Sequence, residues 1–554
     1  MTGSLERINM QIMWNRLISV VEEQAQTLIR TAFSSMVREC GDLSAGVFAL
    51  DGRMLAQAVT GTPGHVNSMA ESVKHFLDKF PVETMREGDI YITNDPWKGT
   101  GHLNDFVLTT PAFHHGRMVA LFSCTSHLID IGGIGFGPDA TDVYMEGIYI
   151  PFLKLADRGE MNETLLAMVR ANTRQPVESE GDVYSLAACN DIGCQRLTQM
   201  MDEFGLDDLD GLGAYIIEQS RNAVLAEIAN LPKGAWRNTM RIDGYDHPLD
   251  LSATMTISDT GIHIDYDGTS PVSKFGINVP HAYTTAYTCF GISCAVSPRI
   301  PNNAGSLEPF TVSAPLGCIL NAPKPAAVSS RHIVGQLLPD VVFGCMRQAV
   351  PERVPAEGTS CLWNLNMRGQ SLGANDAGAG YVVTVVTNGG TGARPVKDGL
   401  SATAYPSGVR ASAIEVMESI APLVFWKKEL RADSGGAGQF RGGHGQSIEI
   451  QNTQGEDFEI LASFDRIDHA PRGREGGADG ANGYVGLGSG RKLNGKGFQT
   501  IPAGDTFIVE TPGGAGIGSP AQRDMAKVAA DLRDGVVSAE AARRDYGYAA
   551  AGDD

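Results

Sequence analysis

The spacing of apolar residues changes several times along the N-terminal part of the chain, and each change marks a predicted element. Over residues 4–34 apolar side chains recur every three or four positions, which predicts one long amphipathic helix capped by Ser4. Alternating apolar residues on both sides of Asp51-Gly52 predict a β-hairpin. Helical spacing returns over 68–80, and a short strand is predicted over 89–93. This part therefore combines helices with paired strands.

The rest of the chain passes from a helical region to regions of short strands. Near residues 231–234 the apolar period changes from helical to alternating, which predicts a boundary between subdomains. The predicted elements are helices over 160–172, 183–204 and 211–229, strands over 236–267, mixed helix and loop over 278–375, short strands beyond Gly380 separated by glycine-rich turns at 388–393 and 433–438, and helix over 519–546.

These patterns indicate an α+β fold with an N-terminal helix, mixed β-sheet layers, a helical middle segment and a glycine-rich β C-terminal part. We divide the chain into four parts. They are 1–234, which carries the candidate site, 235–375 with mixed β and α structure, 376–518, which is rich in β-strands, and a C-terminal helix at 519–548.

Two His-x-x-Asp units are the most informative motif of the chain. His102 and Asp105 form the first unit, and His127 and Asp130 form the second. Imidazole nitrogens and a carboxylate oxygen suit Zn²⁺, Mn²⁺ or Fe²⁺, and three protein ligands leave coordination positions open, as in catalytic sites. The alternative is that these side chains form hydrogen bonds that hold a loop in place, and spacing alone leaves both interpretations open.

The residues between the two units predict a second β-hairpin, which would carry the metal site. Apolar and β-branched residues lie on both sides of a polar turn that contains Gly116. If a three-residue loop connects the strands, His114 pairs with Met118 and Asp105 lies opposite His127, with Cβ atoms about 5 Å apart. A shift of one residue in register would turn His127 to the other face of the sheet.

Composition excludes several classes of protein. The chain has 554 residues, 42% of them hydrophobic and 19% charged, with 66 glycines and 27 prolines, which is typical of a loop-rich globular protein. A net charge of −20 without a basic cluster argues against nucleic acid as a partner. We find neither a signal-peptide pattern nor a long apolar run, and none of the nine cysteines lies in a Cys-x-x-Cys motif. We therefore expect a cytoplasmic protein with reduced thiols and no membrane contact.

Ordered motifs over almost the whole chain resemble the hydantoinase B subunit family, and we treat 1–548 as one unit of that family. The group includes the B subunits of ATP-dependent N-methylhydantoinases and lactamases, the C-terminal half of 5-oxoprolinase, and subunits of acetone and acetophenone carboxylases. The motifs are Arg-Thr-Ala-Phe-Ser at 30–34, Asp-Gly-Arg-Met-Leu-Ala-Gln at 51–57, Gly-Asp-Ile-Tyr-Ile-Thr-Asn-Asp-Pro at 88–96, the two His-x-x-Asp units, Glu-Gly-Ile at 146–148, Asn-x-Arg at 172–174, Gly-Ala-Arg at 392–394, Asp-Gly at 398–399, and the segments 429–438 and 441–443.

The resemblance implies roles for particular residues. In the acetone carboxylases the equivalent subunit resembles a metal-bearing one, and its ligands fall on His102, Asp105 and His127. Asp130 matches a family position beside the site and is expected to orient an imidazole. His65 is a further candidate, in a predicted loop between a strand and a helix, for acid–base chemistry, substrate contact or simple packing.

Two further positions qualify this picture. Glu146 flanks the site as a catalytic or supporting residue. The sequence departs from the usual family pattern at Leu128, where many members carry a second histidine, and we expect Leu128 to make the pocket wall more apolar.

The family scheme implies a two-protein reaction. An A-type partner subunit uses ATP to phosphorylate the carbonyl oxygen of a small cyclic amide, a hydantoin or a lactam, and the metal-dependent B subunit hydrolyses the activated ring. The chain lacks a Gly-x-x-x-x-Gly-Lys-Ser/Thr motif, so we expect ATP to bind the partner within a hetero-oligomer. A ketone carboxylase subunit and a non-catalytic scaffold subunit are the two alternatives that the sequence leaves open.

Overall fold

The computed structural model describes residues 2–371 and 379–548. Its N-terminal part is built on a seven-stranded sheet with the spatial order β2-β1-β5-β4-β3-β6-β7, in which neighbouring strands are antiparallel. The pair β4–β5 at its centre is the predicted second hairpin. The strands are β1 Leu43–Phe48, β2 Met54–Gln57, β3 Ile90–Thr93, β4 Asp105–His114, β5 Arg117–His127, β6 Leu153–Asp157 and β7 Glu160–Met161.

Helices cover both faces of this sheet. On one face Phe122 of β5 packs among residues of α1, α5 and α6, and on the other face Leu121 packs against α3. Because helices cover both faces, β4 and β5 are buried almost throughout, and their polar residues are buried together with the apolar ones. The helices are α1 Thr2–Thr31, α2 Ser35–Arg38, α3 Pro63–Lys79, α4 Glu163–Asn172, α5 Pro176–Phe204 and α6 Asp210–Ala229.

The middle part contains a four-stranded sheet with the order β11-β10-β9-β8, in which only β10 and β11 are parallel. Helix α10 packs on β8 and β9, and α7 packs on both α10 and α3, so the middle part is joined to the N-terminal part. The elements are β8 Gly234–Ile242, β9 Leu249–Ile257, β10 Ile262–Asp265, α7 His281–Val296, α8 Ala304–Leu307, β11 Phe310–Ser313, α9 His332–Gly335 and α10 Leu338–Met346.

The C-terminal part contains two four-stranded sheets, ordered β13-β12-β16-β18 and β14-β15-β19-β17. One cluster of buried apolar residues joins both sheets to the middle part, with Met255, Trp363 and Ile448 among its members. The elements are β12 Trp363–Ser371, β13 Ala379–Thr387, α11 Ile414–Ile420, β14 Leu423–Leu430, β15 Gln446–Asn452, β16 Phe458–Ser463, β17 Tyr484–Leu487, β18 Lys496–Ile501, β19 Phe507–Glu510, α12 Met525–Arg533 and α13 Ala539–Tyr546.

The sequence predicts turns at the glycine clusters 388–393 and 433–438. The chain does turn and bend within 432–438, but the glycines of both clusters also pack tightly on neighbouring backbone. Both clusters lie beside the segment 512–514, and their backbone N–H groups donate hydrogen bonds to carbonyl groups of that segment. Gly390 N–H donates to the Pro512 carbonyl at 3.0 Å, and Gly436 N–H donates to the Gly514 carbonyl at 2.8 Å. A Cβ atom on Gly514 would lie 1.8 Å from the Thr391 carbonyl oxygen. These glycines therefore permit close approach of backbones.

The α+β class that the sequence predicted is confirmed. The predicted helix over 519–546 is divided into α12 and α13. Within the described ranges, none of the helices is long and apolar enough to cross a membrane. The divisions of the chain at 234, 375 and 518 stay predictions.

Candidate metal centre

The hairpin that carries the site has the predicted register at Asp105 and His127, but its turn is shorter than predicted. A two-residue turn connects β4 and β5, so His114 pairs with Arg117, and the three-residue loop that the sequence suggested is wrong. Val119 is an extra residue in β5 and forms a β-bulge. The bulge shifts the pairing by one residue and so compensates for the shorter turn. Asp105 therefore lies opposite His127, as predicted.

The two histidines and the aspartate of the predicted ligand set come together in a buried cluster. His102 Nε2 lies 2.7 Å from Asp105 Oδ1, and His127 Nδ1 lies 3.1 Å from the same oxygen. Each of the three residues is at most 2% exposed, and one ligand atom from each lies within 4.8 Å of the others. Whether the cluster binds a metal stays a prediction.

The hydrogen bonds of His102 give a physical test of that prediction. Its Nδ1 faces the Ser329 carbonyl oxygen at 2.8 Å, and its Nε2 faces the Asp105 carboxylate at 2.7 Å. Both partners accept hydrogen bonds, yet a neutral imidazole has only one N–H. Burial, together with the Arg331 guanidinium, lowers the pKa of His102 to about 3, which disfavours a second proton at neutral pH.

A divalent cation at Nε2 would resolve this conflict. With Nδ1–H donating to Ser329, the lone pair of Nε2 and the free lone pairs of Asp105 Oδ1 are both available to one ion. His127 adds a further buried nitrogen that could bind the ion, because its Nε2 has no hydrogen-bond partner among the described residues. The residues present therefore fit the ligand set of a Zn²⁺ or Mn²⁺ site.

The second oxygen of Asp105 is held by two cationic or protonatable groups. Arg331 Nη2 donates to Oδ2 at 2.7 Å, and His65 Nε2 lies 3.1 Å from the same atom. Arg331 is fixed in turn by the Thr100 carbonyl, at 2.7 Å from Nε, and by the Tyr283 ring, 4.0 Å from the guanidinium. Burial would raise the pKa of Asp105, but the neighbouring histidines and Arg331 outweigh burial and hold this pKa well below its usual range. The carboxylate stays ionised, as a metal ligand must be.

His65 lies in the first turn of α3 and not in the loop that the sequence predicted. The helix begins at Pro63, a residue suited to the first helical position. His65 Nδ1 lies 3.4 Å from Asp42 Oδ1, so the ring stands between two carboxylates. Burial would lower the pKa of His65, but Asp105 and Asp42 outweigh it and raise this pKa above its ordinary value. The arrangement suits a group that holds a proton beside Asp105.

Glu146 supports the site through the backbone. Its Oε1 accepts hydrogen bonds from the backbone N–H groups of Val328, at 2.5 Å, and Ser329, at 2.7 Å. The Ser329 carbonyl is the group that holds His102. Burial raises the pKa of Glu146 to about 8, although the two N–H groups oppose this shift. Glu146 therefore positions His102 and does not touch the cluster itself.

Asp130 has partners other than those expected. Its Oδ1 accepts from Arg174 Nη1 at 2.8 Å and from Gly132 N–H at 3.2 Å, and its Oδ2 accepts from the Arg174 backbone N–H. None of the hydrogen bonds found for Asp130 within the described part of the chain comes from a histidine. This differs from the expected role of orienting an imidazole, because the carboxylate is already occupied by the segment that precedes α5.

Leu128 also lies elsewhere than expected. It is fully buried in the apolar core beside α5, and it does not line the cavity at the site.

Sequence reasoning missed two residues of the site, Arg331 and His332. They lie more than 200 positions from the hairpin. Both ring nitrogens of His332 are buried and have no hydrogen-bond partner in the described structure. Burial, Arg331 and the two site histidines hold the pKa of His332 well below its ordinary value, so the ring is neutral. The only signal in the sequence was an Arg-His pair within an otherwise apolar stretch.

A small cavity lies among these side chains. Its volume is about 20 Å³, which is room for one ion or water molecule. Phe136 closes one side, with its ring 4.7 Å from the His127 ring and 5.5 Å from the His332 ring. A second His/His/Asp group lies at the far end of the same hairpin, where two of its three residues, His115 and Asp202, are exposed.

Comparison with known proteins identifies the group to which this architecture belongs. The family model described as Hydantoinase B/oxoprolinase matches residues 6–520. The chain is 28% identical to caprolactamase subunit beta of Pseudomonas jessenii, over 98% of this chain and 96% of that one. It is 28% identical to 5-oxoprolinase of Dictyostelium discoideum, over 93% of this chain and 41% of that protein.

Solved structures agree with this assignment. The crystal structure of the ATP-dependent caprolactamase from Pseudomonas jessenii superposes with a TM-score of 0.89 at 26% identity, covering 99% of this chain and 97% of that one. Acetone carboxylase in its nucleotide-free form has the same fold, with a TM-score of 0.84 at 21% identity, covering 97% of this chain and 79% of that one. The chain therefore belongs to the hydantoinase B/oxoprolinase family.

Proposed function

We propose that this chain is the metal-dependent subunit of an ATP-dependent amidohydrolase that opens an activated cyclic amide. The observation that carries the proposal is the environment of His102, whose two nitrogens both face oxygen acceptors. The names of the relatives support the substrate class, since caprolactamase and 5-oxoprolinase are named for cyclic amides.

His102, Asp105 and His127 are the proposed ligands. When bound, a divalent metal supplies Lewis acidity towards a water molecule or a carbonyl oxygen. The chain's own residues prepare that position: Ser329 fixes the tautomer of His102, and Arg331 turns Oδ1 of Asp105 towards the histidines by holding Oδ2. The remaining space beside these residues has room for one water molecule, and buried side chains line most of it.

His65 and His332 are the proposed proton-handling groups. His65 faces the carboxylates of Asp105 and Asp42, which favour its protonated form, so it can supply a proton at Nε2 or Nδ1. His332 lines the same cavity as a neutral ring, so it can accept a hydrogen bond from a water molecule. We assign supporting roles to Glu146, whose carboxylate accepts two backbone N–H groups, and to Asp130, whose carboxylate contacts Arg174.

Activation of the amide is assigned to a partner. The sequence has no phosphate-binding loop of the Gly-x-x-x-x-Gly-Lys-Ser/Thr type, and the caprolactamase relative is itself named as a subunit. We propose an A-type subunit that uses ATP to phosphorylate the carbonyl oxygen, and a hetero-oligomer in which the activated ring reaches the metal centre.

The test is reconstitution. The chain is purified alone and together with an A-type subunit, and each preparation is incubated with ATP, Zn²⁺ or Mn²⁺, and ε-caprolactam, 5-oxoproline or hydantoin. Release of the ring-opened product and of phosphate is expected only from the complex, and His127→Ala should abolish product release. Ring opening by this chain without a partner would contradict the proposal.

Parallel reactions separate the two alternatives. Incorporation of labelled bicarbonate into acetone or acetophenone, without ring opening, would identify a carboxylase subunit. Full activity of His102→Ala and His127→Ala complexes would identify a scaffold.

A further inference from the structure

The cavity at the candidate metal centre is too small for the ring that the proposed function delivers to it. Its volume is about 20 Å³, which is room for one water molecule. A neighbouring cavity, lined in part by Asp130, Arg174 and Arg368, is equally small. Pockets that bind small organic molecules measure about 300 Å³ or more. Part of the wall must therefore move before an activated ring can reach His102 and His127.

Phe136 is the least restrained part of that wall. Its side chain lines both cavities and so separates them. The ring contacts three imidazoles, with centroids 5.8 Å from His102, 4.7 Å from His127 and 5.5 Å from His332. Every other residue that lines the cavity at the centre belongs to a helix or strand or makes a hydrogen bond of its own. For Phe136 neither is found within the described ranges, so its ring can move away without breaking a hydrogen bond of its own.

The segment that carries Phe136 is anchored at both ends and rich in glycine between them. At one end Gly132 N–H donates to Asp130 Oδ1 at 3.2 Å, and at the other the Pro138 carbonyl accepts from Gly276 N–H at 2.7 Å. Four of the six residues 132–137 are glycine, and three of these glycines have positive φ angles between 58° and 101°. Because glycine adopts positive and negative φ with little strain, this segment can change its shape between fixed ends.

Two arginines from other parts of the chain hold the middle of this segment. Arg174 Nη2 donates to the Gly133 carbonyl, and Arg368 Nη1 donates to the Ile134 carbonyl at 3.1 Å. Arg174 lies just before α5 and Arg368 lies on β12, and their side chains are 41% and 28% exposed. Ile134 N–H also donates to the Met145 carbonyl at 3.0 Å. Because water can replace hydrogen bonds at such partly exposed groups, the middle of the segment can open locally.

We propose that residues 132–137 form a lid over the metal centre, that the Phe136 ring closes the passage between the two cavities, and that Arg174 and Arg368 hold the lid shut. Opening of the lid joins the two cavities and gives the activated ring a path to the histidines. Closing returns the Phe136 ring to their side and excludes water from the activated intermediate. The inference rests on the proposed function for the ring that the lid admits and deepens it by naming the residues that control access.

Three variants and one matched control test the lid. Phe136→Ala removes the closing ring. Arg174→Met and Arg368→Met each remove one of the two arginine contacts. Glu459→Gln is the control, because it removes the charge that Arg368 Nε contacts at 2.7 Å but leaves the arginine and its hydrogen bond to the Ile134 carbonyl.

The first measurement is hydrogen–deuterium exchange of the metal-free chain, read by mass spectrometry on peptides that cover 131–137 and β5. The Ile134 N–H, which donates to Met145, reports the opening of the lid. Each arginine variant loses a charge-assisted hydrogen bond, so exchange in 131–137 should become about tenfold faster. Exchange of this peptide in Glu459→Gln, and of β5 in every variant, should stay within about twofold of wild type.

The second measurement is the rate at which a chelator removes Zn²⁺ or Mn²⁺ from the loaded chain. Phe136→Ala should release the ion about tenfold faster than wild type, while its metal content at saturation stays unchanged.

The third measurement compares phosphate with ring-opened product in the reconstituted complex. Water that reaches the activated ring can attack phosphorus instead of carbon, which breaks the P–O bond and returns phosphate and the intact ring. The wild-type complex should release phosphate and product in equal amounts, whereas Phe136→Ala should release at least about twice as much phosphate as product.

Several outcomes would overturn the lid. They are unchanged exchange in both arginine variants, an unchanged rate of ion release in Phe136→Ala, and equal acceleration of exchange in Glu459→Gln and Arg368→Met. If Phe136→Ala does not fold, the two arginine variants decide the result. Wild-type chain that takes up no metal, or a complex that opens no ring, refutes the proposed function, whereas exchange of the metal-free chain still decides whether the lid exists.

Discussion

Replacing Glu146 by leucine should loosen the loop that holds His102. In the wild-type protein one carboxyl oxygen of Glu146 accepts two backbone N–H groups, and the carbonyl of Ser329 then reaches His102 Nδ1 at 2.8 Å. Leucine has a similar size but accepts no hydrogen bond. Glutamine keeps the accepting oxygen and is the matched control.

The contacts set the size of the effect. A buried N–H left without a partner costs about 1–3 kcal/mol, so the loss of both acceptors should lower the free energy of unfolding by about 2–6 kcal/mol. Removing a group that orients a ligating histidine typically weakens metal binding about 10- to 100-fold. Glu146→Leu should show both losses, and Glu146→Gln should show neither.

The pKa of Glu146 adds a pH dependence with a defined sign. This pKa is raised from its ordinary value of 4.5 to about 8 in the folded protein. Between these values the unfolded chain releases the proton and the folded chain keeps it, so the free energy of unfolding falls as pH rises, by about 1.4 kcal/mol per unit. Glu146→Gln cannot ionise and should lack this contribution, so its stability advantage over wild type should grow from about pH 5 to about pH 8.

The assay is thermal melting of metal-free wild type, Glu146→Gln and Glu146→Leu at several pH values, followed by titration of each with Zn²⁺ and Mn²⁺. A Glu146→Leu variant with wild-type melting temperature and metal affinity would refute the role of the Ser329 loop. A difference between wild type and Glu146→Gln that does not change with pH would refute the assignment of a protonated carboxyl.

Two further substitutions test other contacts. Arg331→Met leaves His65 as the remaining cationic contact of Asp105 Oδ2 and should lower the free energy of unfolding of the metal-free protein by up to about 3–5 kcal/mol in denaturant titration, whereas unchanged stability would contradict the pairing. Asp130→Asn weakens the contacts with Arg174 and should lower stability by about 1–3 kcal/mol while metal affinity, measured by calorimetry, stays within about threefold. A large loss of metal affinity in Asp130→Asn would show instead that Asp130 orients an imidazole of the site.

The sequence predicts that the two halves of the ligand set lie together, but it does not fix the register. Strand propensity identifies β4 and β5, and the predicted loop places Asp105 opposite His127, whereas a slip of one residue would turn His127 to the other face. The predicted pairing of Asp105 with His127 is correct although the turn is shorter than predicted, because the bulge at Val119 compensates for the missing residue.

Other parts of the site and the fold depend on contacts that leave no local pattern. Arg331 and His332 reach the cavity through packing of the middle part on the N-terminal sheet, and no spacing rule joins residues so far apart. The sequence predicts a loop at His65, whereas the structure has the first turn of α3 there, and α3 packs against α7. The close packing at the glycine clusters leaves no signal in the sequence, because glycine serves both turns and close backbone contacts.

Metal content tests the central claim most directly. Purified chain is loaded with Zn²⁺ or Mn²⁺, freed of excess ion, and measured by plasma mass spectrometry alongside His102→Ala, His127→Ala and His114→Ala. The control, His114, belongs to the second His/His/Asp group, at the turn of the same hairpin. We predict one ion per chain in wild type and in His114→Ala and none in the other two variants. Full metal content in His102→Ala and His127→Ala, or its loss only in His114→Ala, would contradict the metal centre described above.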